Sequence, residues 1–129
     1  MVKTSTKKTI LVIEDEPEIS DFAARLCELE GYHVFQAEDG DVGLKLAREH
    51  RVSLVLLDLR LPSENGWVIL NKMQGDPQLS SIPVVVFTAS AASSQRNRAL
   101  ASGAKDYLVK PLSAAGLKEA IATALLERE

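Results

Sequence analysis

The feature of this chain that most constrains its fold is a set of short apolar runs, each of which ends at a polar or reactive side chain. The runs are residues 10–13 before Glu14 and Asp15, residues 54–57 before Asp58, residues 84–87 before Thr88, and residues 107–109 before Lys110. Continuous runs rich in Val, Ile and Leu are typical of strands buried on both faces of a sheet. Parallel strands bring their carboxyl ends to one edge, where open α/β sheets bind ligands. The sequence therefore predicts that acids, a hydroxyl and a lysine meet in one crevice.

Helical segments alternate with these runs and define the fold class. Pro17 suits the first turn of a helix, because the N–H that proline lacks would have no partner there. Gly31 suits the helix C-terminus, and the partly alternating residues 32–37 predict a strand nearer the edge of the sheet. Strand and helix thus alternate along the whole chain. This pattern predicts an α/β fold in which helices cover both faces of a parallel sheet.

Two of the predicted helices differ in their apolar faces. In the first, residues at helical spacing predict a buried stripe made of Ile19, Phe22, Ala23, Leu26 and Leu29. The helix over residues 91–102 has a thin apolar face, which consists mainly of Ala92, Ala99 and Leu100. Because burial stabilises by about 25 cal/mol per Å², this helix is expected to be the most mobile.

Composition excludes several classes of protein. The chain has 129 residues, 46% of them hydrophobic and 26% charged, which favours one soluble globular domain over disorder. A net charge of −3 argues against a general grip on nucleic acid, and no run approaches the roughly 20 apolar residues of a membrane span. Cys27 stands alone, which fits a reducing cytoplasm. We expect residues 1–8 to be a flexible tail and residues 9–129 to form the domain.

Asp58 is the leading candidate for a reactive residue. A carboxylate at the end of a buried strand can attack a phosphoryl group and form an aspartyl phosphate. Because an anion attacking an anion needs charge neutralisation, a Mg²⁺ ion fits this chemistry, and Glu14 and Asp15 offer carboxylates to hold it. The local alternative is that Asp15 or Glu16 caps the following helix while Asp58 turns the chain.

Thr88, Ala89 and Lys110 complete the predicted crevice. The Lys110 ammonium suits a phosphoryl oxygen, and the peptide bond between Lys110 and Pro111 is a cis candidate that would aim the lysine inward. The Thr88 hydroxyl is offered to the same oxygens, and the small Ala89 leaves room for a phosphoryl group. The alternatives are ordinary, since most lysines are solvated and threonine is common in strands.

Other residues carry weaker signals. His33 and His50 have no companion at metal-ligand spacing, so we expect both to be structural or solvated. Trp67 opens a predicted helix close to Asp58 in sequence, where it would pack and report on phosphorylation through its fluorescence.

Four segments resemble the motifs of two-component response-regulator receiver domains. Residues 10–17 resemble the opening acidic motif, and residues 57–62 with Gly66 resemble the phosphoacceptor motif. Residues 87–89 and 105–111 resemble the remaining two motifs. Each motif is short, but their order and spacing together are highly specific.

The resemblance implies a fold and a metal site. The fold is flavodoxin-like and doubly wound, with five parallel strands in the order 2-1-3-4-5 and five helices. Asp58 is implied as the phosphoacceptor, with Glu14 and Asp15 as the acidic pair that binds Mg²⁺ and the backbone carbonyl of Arg60 as a further ligand. Aspartate is frequent in the family where Glu14 stands, which leaves open whether Glu14 binds the metal directly or through a water.

The resemblance also implies a switch. Thr88 and Tyr107 would be the switch pair, and Lys110 would bind the phosphoryl group. Phosphorylation would draw the Thr88 hydroxyl toward it, and the Tyr107 ring would then swing inward. The alternative is that Tyr107 is a half-exposed strand aromatic. The predicted output surface is the face built from the helix over residues 91–102, the last strand and the last helix.

The function implied is that of a stand-alone phosphoacceptor in a phosphorelay. It would take its phosphoryl group from a sensor histidine kinase or a histidine phosphotransfer protein and lose it by hydrolysis. It would be no enzyme beyond this self-directed chemistry. With no length left for a DNA-binding domain, output would go to an unknown downstream protein target, without direct contact to nucleic acid or membrane.

Three alternatives belong to other classes. A pseudo-receiver scaffold would bind partners without phosphorylation. An aspartate-dependent phosphatase would carry a second acid where Arg60 stands. A flavin or nucleotide binder would need a phosphate cradle, and neither G-x-G-x-x-G nor G-x-x-x-x-G-K-[ST] occurs.

Overall fold

The computed structural model describes residues 7–61 and 65–128, with side chains described through residue 126. Most of the predicted tail and Pro62 of the phosphoacceptor motif lie outside these residues. The described elements are β1 (Thr9–Ile13), α1 (Pro17–Leu29), β2 (His33–Ala37), α2 (Gly40–Glu49), β3 (Leu54–Asp58), α3 (Gly66–Gly75), β4 (Val84–Thr88), α4 (Ser93–Ala101), β5 (Asp106–Val109) and α5 (Ala114–Arg128). Within the described ranges, no helix combines the length and the apolar character that crossing a membrane requires.

The strands form one parallel sheet in the order β2-β1-β3-β4-β5. This confirms the predicted doubly wound fold and its strand order. The register aligns Ile13 with Leu57 and Asp58 with Phe87, so β1, β3 and β4 end almost level. The residues that follow these strands therefore share the carboxyl edge of the sheet.

Two apolar layers cover the sheet. Alternate strand residues such as Leu11 and Ile13 pack on one face with α2 and α3, and Ile10 and Val12 pack on the other with α1 and α5. Every residue of β3 and β4 is buried. Burial on both faces explains why these strands are continuous apolar runs, and it holds their ends rigidly at the carboxyl edge.

The predicted buried stripe of α1 is wrong in part. Phe22 is 42% exposed and Leu29 is 76% exposed. The buried residues of this helix are Ser20, Ala23, Ala24 and Cys27. Small side chains let the helix lie close to the sheet, and the larger apolar residues are displaced to its outer flank.

The apolar face of α4 is even thinner than the sequence suggests. The helix begins at Ser93, after the exposed Ala92, and Leu100 is 37% exposed. Among the residues of this helix, Ala99 alone is buried. Full burial in this helix is therefore confined to one methyl group, which limits the hydrophobic stabilisation of α4.

Candidate functional site

Three carboxylates converge at the carboxyl edge of the sheet. Asp58 is the last residue of β3, and Glu14 and Asp15 directly follow β1. Asp58 and Glu14 are each only 1% exposed, whereas Asp15 is half-buried. One ligand oxygen from each of the three lies within 4.8 Å of the others. The structure thus brings together the acidic residues that the sequence placed in one crevice.

Lys110 supplies the positive charge in this crevice. Its Nζ lies 3.1 Å from Oδ2 of Asp58, 3.0 Å from Oε1 of Glu14 and 3.4 Å from Oε1 of Glu16. Burial alone lowers the pKa of Lys110, but the Glu14 and Asp58 carboxylates outweigh burial and raise this pKa overall. The ammonium is therefore held in its charged form beside the candidate phosphoacceptor.

A backbone hydrogen bond anchors Lys110 to the neighbouring strand. Its N–H donates to the carbonyl oxygen of Thr88 at 2.8 Å, which joins the end of β5 to the end of β4. The Lys110–Pro111 peptide bond is cis, and Nζ lies 5.5 Å from the centre of the Phe87 ring.

The loop after β3 orients Asp58. The Arg60 N–H donates to Oδ1 of Asp58 at 2.9 Å, and Arg60 bridges Asn65 across the loop. The Gly66 N–H donates to the carbonyl oxygen of Leu59 at 3.1 Å. A Cβ on Gly66 would lie 2.5 Å from the Asp58 carbonyl oxygen, so only glycine allows this close approach. Because Lys110 Nζ donates to Oδ2, both oxygens of the Asp58 carboxylate accept a hydrogen bond that holds them in place.

The electrostatics of Glu14 fit a cation site. Burial raises the pKa of Glu14 to about 7, and the Asp58 carboxylate adds to this, while the Glu16 N–H and Lys110 oppose it. Its Oε2 accepts the Glu16 N–H at 2.9 Å. Its Oε1 has no partner with hydrogen-bond geometry among the described residues, although Lys110 Nζ is near. A buried oxygen without such a bond, grouped with two further carboxylates, suits a hard divalent cation such as Mg²⁺.

The two predicted switch residues meet at one loop residue. Oγ1 of Thr88 accepts the Ser90 N–H at 3.4 Å, and the Tyr107 hydroxyl donates to the Ser90 carbonyl oxygen at 2.7 Å. Tyr107 is 5% exposed, so its ring already lies inward in this structure, and the half-exposed alternative is wrong. The loop after β4 is thus connected to both residues. Ala89 is exposed on the same loop, at the edge of the crevice.

Two connections escaped the sequence analysis. Within the described part of the chain, the Glu16 side chain makes no capping hydrogen bond to α1. Its Oε1 instead accepts a hydrogen bond from Nζ of Lys110, which is 94 positions away in sequence. The guanidinium of Arg98 on α4 lies 4.0 Å from the ring centre of Trp67 on α3. No local pattern signals either contact, because each joins residues that are distant in sequence.

Taken together, the fold and the crevice define a class of protein: an open parallel α/β domain with acids, a hydroxyl and a lysine at its carboxyl edge. Residues 10–122 match the response regulator receiver domain family. The chain therefore belongs to this family of two-component signalling domains, as its motifs predicted.

Comparisons with individual proteins agree. The chain is 39% identical over 102 residues to the DNA-binding dual master transcriptional regulator RpaA of Synechocystis, covering 79% of this chain and 42% of that protein. It is 33% identical to the polar-differentiation response regulator DivK of Brucella anthropi, covering 82% of this chain and 86% of DivK. A crystal structure of a CheY-like receiver domain protein from Methanospirillum hungatei superposes with a TM-score of 0.87 at 28% identity, covering 95% and 97% of the two chains.

The relatives differ in length. The chain spans about half the length of three transcriptional regulators that it resembles. The match covers 42%, 51% and 44% of their sequences. It spans most of DivK. What is common to these proteins is the receiver domain itself.

Proposed function

We propose that the protein is a cytoplasmic phosphoacceptor switch in which Asp58 receives a phosphoryl group. The donor is a phosphohistidine of a sensor histidine kinase or of a histidine phosphotransfer protein. The observation that carries this proposal is the 3.1 Å contact of Lys110 Nζ with Oδ2 of Asp58, inside a buried acidic cluster. An aspartate-dependent phosphatase would carry a second acid two residues after Asp58, and Arg60 stands there.

The residues present would hold Mg²⁺ through Asp15, Asp58 and the backbone carbonyl of Arg60, with Glu14 binding directly or through a water. When bound, the ion supplies positive charge that offsets the repulsion between an attacking carboxylate and a phosphoryl group. Lys110 supplies the remaining charge from this chain.

The transfer itself is a displacement at phosphorus. A carboxylate oxygen of Asp58 forms the new bond to phosphorus, and the bond from phosphorus to the donor's imidazole nitrogen breaks, so its electron pair stays on that nitrogen. The Lys110 ammonium is placed to bind a phosphoryl oxygen, and Thr88 offers its hydroxyl to another. Ala89 leaves room for the group. Hydrolysis of the acyl phosphate, by attack of water at phosphorus, resets Asp58.

The signal passes through the loop after β4. When the Thr88 hydroxyl turns to the phosphoryl group it releases the Ser90 N–H, and Tyr107 binds the carbonyl of this same residue. The loop leads into α4, whose packing is thin. We therefore propose the surface of α4, β5 and α5 as the face that a downstream protein reads. We propose that the receiver domain covers residues 9–129 and that its output is a contact with a protein, not with nucleic acid or membrane.

The test is phosphorylation in vitro. The protein is incubated with Mg²⁺ and acetyl phosphate, and its intact mass is measured. We expect one phosphoryl adduct in the parent, none in Asp58→Asn, and an unchanged adduct in Asp41→Asn, which alters an exposed carboxylate outside the crevice. Omission of Mg²⁺ should abolish the adduct. An adduct that persists in Asp58→Asn places the acceptor elsewhere, and no adduct in the parent favours a pseudo-receiver scaffold.

A further inference from the structure

The edge of the sheet opposite Asp58 carries a second cavity. It has a volume of about 820 Å³ and lies where β1, β2 and β3 begin. Its lining residues are Lys7, Lys8, Thr9, His33, Val34, Phe35, His50, Arg51 and Ser53. The volume falls in the range of ligand sites, roughly 300–1,000 Å³. The parallel sheet separates this cavity from the phosphoacceptor crevice.

The charge of this cavity is opposite in sign to that of the chain. Lysine, arginine and histidine account for five of its nine lining residues, and none of the nine is acidic, although the chain has a net charge of −3. Lys8 and Ser53 already have interaction partners. In contrast, Lys7 and Arg51 form no ion pair with the carboxylates of residues 7–61 and 65–126, whose side chains the structure describes. Two full positive charges are thus left for a ligand.

The walls of the cavity are held in place by the sheet. The His33 N–H donates to the Lys8 carbonyl oxygen at 2.9 Å, and the Ser53 N–H donates to the Thr9 carbonyl oxygen at 2.8 Å. These bonds fix the relative positions of the three strand ends. A backbone that is already ordered lowers the entropy cost of forming the site around a ligand.

One side of the cavity is aromatic. The rings of Phe35 and His50 lie 4.3 Å apart between centroids, tilted by 32°. His50 caps the C-terminus of α2, where the helix dipole disfavours an anion. This effect falls off within the last turn and is equivalent to about half an elementary charge, whereas Lys7 and Arg51 each carry a full positive charge. An apolar aromatic surface beside cationic groups matches a ligand that has both an anionic and a ring portion.

We propose that this cavity binds a small molecule carrying two or more phosphate groups. Lys7 and Arg51 pair with the phosphates, and the Phe35–His50 wall packs against any attached ring. This role goes beyond phosphotransfer at Asp58 and does not depend on it. It also places His33 and His50, which the sequence predicts to be structural or solvated, in one site.

The experiment is an NMR titration of the ¹⁵N-labelled protein in EDTA, so that the acidic crevice carries no metal. The probes are sodium pyrophosphate, ADP and adenosine at matched ionic strength. We expect saturable shifts at the amides of Thr9, Val34 and Arg51 with the first two probes. Tighter binding of ADP than of pyrophosphate identifies a nucleotide, whereas equal binding identifies the phosphate groups alone.

A pair of double variants tests the assignment. Each neutralised cation should weaken binding about fivefold, the Coulomb contribution of one charge pair about 4 Å apart in water. Lys7→Gln combined with Arg51→Gln should therefore weaken binding about 25-fold. Lys45→Gln combined with Lys105→Gln removes the same charge outside the cavity and should leave it unchanged.

Three results would overturn the proposal. One is the absence of saturable shifts up to about 10 mM of pyrophosphate and ADP, an affinity too weak for a specific site. Another is equal weakening by both double variants, which indicates only the net charge. The third is a set of shifts centred on Asp58 instead of the opposite edge.

Discussion

Substitution of Gly66 by alanine perturbs the phosphoacceptor loop through a single methyl group. The new Cβ would lie 2.5 Å from the Asp58 carbonyl oxygen, 2.5 Å from Leu59 Cα and 2.9 Å from the Leu59 carbonyl carbon. These are backbone atoms, so no side-chain rotation relieves the contact. Overpacking of this kind costs typically about 1–3 kcal/mol, against the roughly 1 kcal/mol that alanine gains over glycine in a helix. Because the contacted atoms are backbone, we expect the upper half of that cost, about 2–3 kcal/mol, which leaves a net loss of about 1–2 kcal/mol.

Urea unfolding followed by far-UV circular dichroism measures this loss. With a denaturant slope of about 2 kcal/mol per M, the midpoint of Gly66→Ala should fall by roughly 0.5–1 M. Gly75→Ala is the matched control, because it lies in the same helix and its Cβ would meet nothing within 4 Å. This control should be neutral or slightly stabilising. A midpoint for Gly66→Ala equal to that of the parent, or an equal loss in Gly75→Ala, would refute the reasoning.

Three further perturbations test other parts of the structure. Burial raises the pKa of the Cys27 thiol to about 12. The protein should therefore react with a thiol reagent only after unfolding, and rapid labelling of the native protein would contradict this. Because the unfolded thiol ionises first, stability should fall as the pH rises from about 9 to about 12. Tyr107→Phe removes the 2.7 Å hydrogen bond to Ser90 and should cost about 0.5–1.5 kcal/mol in urea unfolding, and an unchanged midpoint would count against that bond. Arg98→Ala removes the cation above the Trp67 ring, which should shift the tryptophan emission, leave the circular dichroism unchanged and lower the free energy of unfolding by about 0.5–1 kcal/mol. Identical emission spectra would show that the contact is not formed in solution.

The sheet could be predicted because its signals are local. Apolar runs that end at Asp58 and Thr88 define both the strands and the edge where they stop. Strand order followed from the family resemblance, since periodicity alone does not order strands. The crevice followed in turn, because parallel strands leave little choice about where their carboxyl ends lie.

What escaped prediction depends on packing across the chain. Helical spacing places Phe22 and Ala23 on the apolar face of α1. It does not determine which side of this face packs against the sheet. The inward ring of Tyr107 depends on the position of the Ser90 carbonyl, which the loop after β4 sets. The cationic cavity joins residues such as Lys7 and Arg51 from separate strand starts, so no window of sequence contains it.

The single buried methyl of Ala99 has a consequence for the energetics of signalling. We expect an element with so little buried surface to separate from the domain at a small fraction of the global unfolding free energy, and its amides to exchange hydrogen before those of β3. A binding protein that reshapes α4 therefore performs little work against the native fold. If the proposed switch acts through α4, a modest difference in affinity between its two conformations would be enough to shift the population from one to the other.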